Sequence, residues 1–120
     1  MQPSLAEGLE DRQEFTVTPE MSPPHLPVAV LSTPSMVSLI EGTCLGLAQR
    51  HLDDGETTVG THICVSHDAA VPVGGQVTVW CRLATVDRRR LEFEVRVEAS
   101  SGKVSEGTHR RAVIDTSRFG

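Results

Sequence analysis

Aromatic side chains are nearly missing from these 120 residues, which hold three phenylalanines, one tryptophan and no tyrosine. A core must therefore be built from valine, leucine, isoleucine, alanine and methionine. Basic residues are in deficit, 11 against 16 acidic ones for a net charge of −5, the reverse of the excess that a nucleic-acid-binding surface shows. Only three cysteines occur, Cys44, Cys64 and Cys81. They are widely spaced and sit within helix or strand patterns, as small buried hydrophobes of a reducing compartment do, not as a disulfide framework or a zinc site. No apolar run is long enough to span a membrane, and no basic segment leads into an apolar one at the N-terminus. The expectation is a cytoplasmic, soluble protein with no membrane or nucleic-acid partner. The five histidines show no HxxxH or HxH spacing, and there is no GxSxG, P-loop or GxGxxG pattern, so neither a metal site nor a cofactor is expected.

What is present organises around Leu31 to Leu52, the one long stretch with helical periodicity. Met36, Val37, Ile40, Cys44, Leu47 and Ala48 recur on one side, with Leu39 and Leu45 widening the stripe. Thr33 can cap the helix and Pro34 fits its first position, while Asp53, Asp54 and Gly55 end it. Ahead of it, Met1 to Gln13 is polar and acidic and is expected to be a flexible tail to a single domain over 14–120. Glu14 to Thr18 reads as a short edge strand. Pro19 to Val30 contains four prolines and can be neither regular helix nor central strand, so it is a connector or a lid over the helix start.

After the helix the period changes from 3.6 to 2. Thr57 to Ala69 places Val59, Thr61, Ile63, Val65 and His67 on one face. Gln76 to Val86 and Leu91 to Val97 alternate in the same way, with Arg88 and Arg89 at the tip between them. The last strand runs from about Lys103 to Asp115, with Gly107 as a bulge. Short connections demand an antiparallel meander, and its apolar face needs a cover that only the central helix can supply. The fold class is α+β, a curved antiparallel sheet wrapped round one long helix in the hot-dog arrangement. A cystatin-like helix-on-sheet fold is the rival.

Two polar residues stand where the pattern is apolar. Glu41 shares its helical face with Val37, Cys44, Leu45 and Ala48, and it either lies inward as a base or reaches water or an arginine at the edge of the stripe. His67 continues the inward face of its strand. The two make a candidate acid/base pair, the alternative being a core histidine satisfied by a backbone carbonyl.

Three stretches carry a resemblance: Thr33 to Glu41, in the pattern T-x-x-x-V-x-L-x-E; GTHICVSHDAAVPVG from Gly60 to Gly74; and GTHRRAVI from Gly107 to Ile114. Over roughly Val30 to Phe119 the chain resembles the hot-dog thioesterases of the fluoroacetyl-CoA thioesterase-like group. The resemblance implies a functional trio of Thr33, Glu41 and His67, with Gly60 and Arg111 near the acyl end of the substrate. It implies an acyl-CoA or acyl-carrier thioester as substrate, and a homodimer whose two sites each take groups from both subunits. A non-catalytic acyl-binding module on the same fold is the remaining alternative. In this resemblance His67 holds Glu41 and protonates the leaving sulfur. Where the fluoroacetyl-specific member has phenylalanines before the helix, this chain has HLPVAVL, and Gly42 replaces a bulky aromatic. Both departures imply a larger or differently shaped acyl group. Arg88 to Arg90 are either candidates to meet CoA phosphates or simply a solvated hairpin tip.

Overall fold

A computed structural model describes residues 1–118; Phe119, counted above in the resemblance, lies outside them. Five strands and one long helix follow in the order β1 (Glu10–Thr16), α1 (Thr33–Gln49), β2 (Glu56–Val65), β3 (Gln76–Asp87), β4 (Arg90–Ala99) and β5 (Gly102–Asp115). The strands make one antiparallel sheet in the order β1-β3-β4-β5-β2, and α1 packs across its apolar face. This is the expected hot-dog arrangement, with β1 at one edge and β2 at the other.

The alternation read from sequence holds through β4 without interruption. Leu91, Phe93, Val95 and Val97 are buried against α1, and Glu94, Arg96 and Glu98 face water. In β3, Val77, Val79, Cys81 and Leu83 do the same. From α1 the core receives Met36, Ile40, Cys44, Leu47 and Ala48. Phe93, fully buried, contributes about 2–3 kcal/mol of that cohesion by area removed from water.

The ladders slip by one residue at three places. Thr61 is the extra residue in β2, Ala84 in β3, and Val104 in β5 opposite Val97 and Glu98. Each slip exchanges the inward and outward faces of the strand beyond it. The bulge expected at Gly107 is therefore at Val104 instead. Gly107 has a different duty: a Cβ there would lie 1.9 Å from the Cys64 carbonyl oxygen, so only glycine admits the neighbouring β2 backbone.

The first thirteen residues differ from the flexible tail expected of them. Leu5 is buried, the Gly8 amide donates to the Leu83 carbonyl, and Leu83 returns a bond to Leu9. Glu7 accepts from the Val86 amide at 3.0 Å, and the terminal ammonium pairs with Asp53 and Glu56. β1 begins at Glu10, four residues before the expected start. Isolated leucines in a polar segment dock singly and leave no periodic signal. No helix among the described residues is long and apolar enough to cross a membrane.

Candidate active site

The helix start is displaced by one residue from expectation, with a chemical consequence. Ser32, not Thr33, is the N-cap, and its hydroxyl accepts from the Ser35 amide at 3.2 Å. Thr33 is thereby released from capping and turns its hydroxyl to His67, with Oγ1 and Nδ1 2.7 Å apart. His67 itself lies two residues past the end of β2, in a loop. Thr33 is the first helical residue, so its N–H has no intrahelical acceptor and stands at the positive end of the helix without a partner among the described residues.

Thr33 and His67 line a cavity of about 410 Å³. The proline-rich segment before α1 supplies one wall, through Pro23, His25, Leu26 and Val30. That segment is fastened at its base by the Val30 amide to Ser22 Oγ and the Ser32 amide to the Met21 carbonyl. Between those ties Leu26 and Val28 are exposed, which is the geometry of a lid.

Glu41 is elsewhere. Its side chain is 41% exposed and sits at the edge of the apolar stripe, where Oε2 meets Arg111 Nη1 at 3.3 Å. Of the two readings of this residue, the one in which it reaches an arginine describes the contact. Arg111 comes from β5, is only 6% exposed, and is bound on three sides. Its Nε donates to Thr58 Oγ1 at 2.7 Å and Nη2 to the Thr58 carbonyl at 3.0 Å. Its Nη1 also lies 3.1 Å from His109 Nε2. A guanidinium so enclosed has little donor capacity left for a ligand, so its place is beneath Glu41 as a support.

Gly60 completes this half. A Cβ at that position would lie 2.8 Å from Glu41 Oε2 and 3.4 Å from Arg111 Nη1. The glycine is thus the floor on which the carboxylate rests, a role read more narrowly than contact with an acyl group. Thr58 and His109 are the members that sequence reasoning passed over. Thr58 points inward because the Thr61 slip reverses the face of β2, whereas uninterrupted alternation puts Val59 and Thr61 there.

The structure brings Thr33 to His67 and Glu41 to Arg111, and among the described residues it records no hydrogen bond between the two pairs. The expected hold of His67 on Glu41 is therefore not made inside a single chain. Gly42 also differs from expectation: it lines a separate groove with Phe15, Ser38, Leu39 and Gly46, on the β1 side of the helix. It does not line the cavity at Thr33, and a Cβ on it or on Gly46 would meet nothing within 4 Å.

Comparison with known proteins gives four findings. The pattern of the fluoroacetyl-CoA-specific thioesterase family matches residues 12–117. A fluoroacetyl-CoA thioesterase of Streptantibioticus cattleyicolor is 35% identical, over 99% of this chain and 92% of that protein. The solved structure of the fluoroacetyl-CoA thioesterase FlK superposes with a TM-score of 0.90 at 35% identity, covering 95% of this chain and 91% of that one. A Thermus thermophilus member of the thioesterase superfamily shares the fold, with a TM-score of 0.87 at 24% identity over 98% of this chain and 89% of its own.

Proposed function

The chain belongs to the fluoroacetyl-CoA-specific thioesterase family, and from that premise we propose that it hydrolyses an acyl-CoA thioester to the free acid and CoA. In this reading it is a homodimer, and each site joins Thr33 and His67 of one protomer to Glu41 of the partner subunit. The observation that carries the proposal is the split of the trio into two separate contacts, Thr33 with His67 and Glu41 with Arg111. Eight residues of helix set Thr33 and Glu41 about 12 Å apart along the axis, too far to act on one carbonyl. A two-fold axis that brings a second helix alongside closes that gap.

The β2 edge supports the same assembly. Among the described residues it has a ladder partner on one side only, β5. Its sequence, ETTVGTHICV, carries none of the lysines or prolines that guard a free edge against pairing. A second copy of β2 would join the two sheets and place the sites at the junction.

The chemistry follows from the parts. The thioester carbonyl lies at the start of α1, where the Thr33 N–H and the helix dipole stabilise the oxyanion. Glu41 takes a proton from water, whose oxygen adds to the carbonyl carbon, or the carboxylate attacks that carbon itself to form an anhydride that water then hydrolyses to the free acid, restoring Glu41. When the C–S bond breaks, His67 protonates the departing sulfur. Leu26, Val30 and Leu31 line the cavity beside these groups, which suits an aliphatic acyl chain under a lid that is not aromatic. The relatives it matches act on or bind CoA compounds, so free CoA is the preferred carrier. Three unpaired thiols accord with a cytoplasmic location.

The test is thiol release from a panel of acyl-CoAs of different length and substitution. Some member is turned over, and Glu41→Gln lowers kcat by about 10²–10⁴-fold with the fold retained. No turnover of any member by the folded dimer would overturn the proposal.

A further inference from the structure

We propose that His109 is a positioning residue of the reaction, holding Arg111, and through it the carboxylate of Glu41, as a neutral imidazole that carries its proton on Nδ1. This rests on the reading of Glu41 as the catalytic carboxylate. His109 is 1% exposed, and both ring nitrogens are engaged. Nδ1 is 2.8 Å from the carbonyl oxygen of His62, the residue just past the Thr61 slip, and Nε2 is 3.1 Å from Arg111 Nη1. A carbonyl can only accept and a guanidinium can only donate. One protonation state satisfies both: Nδ1–H donates to His62, and bare Nε2 accepts from Arg111.

The consequence runs along the chain of contacts. Nη1 of Arg111 has two hydrogens, one for His109 Nε2 and one for Glu41 Oε2. Fixing the first aims the second. The other side of the guanidinium is pinned by Thr58, so the fork cannot rotate to follow a moving carboxylate, and Gly60 leaves room for that carboxylate at one place. A protonated His109 would set an N–H against the Nη1 hydrogens and release the fork.

The surroundings keep the ring neutral. Burial pushes its pKa down, outweighing the hydrogen bond to the His62 carbonyl, which raises it; of the charged groups that face it Arg111 on β5 pushes down and Glu41 on α1 pushes up. His62 on β2 also faces it, and Phe93 on β4 stacks on it at 6.4 Å between centroids. A rigid ring is suited to this post because it spans from a β2 carbonyl to a β5 guanidinium with no torsion between its two polar atoms.

The experiment pairs two variants with a spectroscopic reading of the native enzyme. His109→Phe keeps the ring and loses both polar atoms, and His109→Gln returns an acceptor near the position of Nε2. With both variants folded by thermal melt, the expectation is a fall in kcat of about 10–100-fold for His109→Phe, KM changing by less than about threefold, and recovery of most of the loss in His109→Gln. Nitrogen-15 NMR of the wild type at pH 7 should show His109 protonated at Nδ1 and bare at Nε2. Unchanged kcat in a folded His109→Phe, or a native ring protonated at Nε2, would overturn the proposal. The NMR reading needs no turnover, so an enzyme that hydrolysed nothing would sink the thioesterase reading and still leave the tautomer tested.

Discussion

Thr33 and His67 meet in the open, one on an exposed helix start and the other on a loop past the end of a strand. Glu41 instead leans on Arg111, which is buried, anchored to two strands and enclosed by hydrogen bonds. The first pair stands beside a lid and a cavity and depends on few neighbours. The second belongs to the framework, so that its carboxylate has one position. The division sets one pair on an exposed helix start and a loop, and the carboxylate on a buried, hydrogen-bonded framework.

That contrast can be broken from the clamped side first. Arg111→Leu removes the cation under Glu41 and leaves Thr58 and His109 without their partner, and its effect should be the largest and should appear in two readouts. Stability falls by about 2–4 kcal/mol, a range that discounts the buried-pair figure for the partial exposure of Glu41, and kcat falls with it; chemical denaturation and steady-state kinetics measure the two. Thr33→Val on the open side separates them. Because Ser32 caps the helix, the melting temperature should move by no more than about 2 °C, while loss of the hydroxyl lowers kcat roughly tenfold. A Thr33 variant that melted early would erase the distinction between the halves.

The smallest effect is in pH dependence. Burial holds the His109 pKa below its ordinary 6.5 in the folded state, so between the two values the unfolded chain binds the extra proton. The contribution to stability is complete above about pH 6.5 and is lost as pH falls through the folded value. Melting curves from pH 7 to 5 should show this slope in the wild type, and it should be reduced in His109→Phe.

The sequence made the helix and the strand alternation plain because both are periodic, and periods of 3.6 and 2 survive small errors of boundary. Single-residue slips do not show in such a pattern. Thr61 looks like one more member of the Val59, Ile63 and Val65 face, yet as the extra residue it turns Thr58 and Gly60 inward, and with them the socket for Arg111. Ser32 and Thr33 are both capping residues, and only the backbone distinguishes them; that one-residue difference decides whether the Thr33 hydroxyl serves the helix or His67. The resemblance named Thr33, Glu41 and His67 together, but intervals in sequence do not say which of them meet. Leu5 and Leu9 carry the N-terminal segment onto the sheet by contacts too few to make a period. Gly42 and Gly46 have no explanation in the packing of this chain.

The central claim, that each site takes Thr33 and His67 from one protomer and Glu41 from the other, is tested most directly by mixing two dead enzymes. Glu41→Gln and His67→Ala subunits, each inactive alone, are unfolded together and refolded at equal concentration. In a heterodimer both defects then fall in one site and the other site is intact. About half of a random mixture is heterodimer with one working site of two, so turnover should return to about one quarter of the wild-type value. If all three groups of a site came from one chain, every site in the mixture would keep a defect, and the refolded sample would stay inactive.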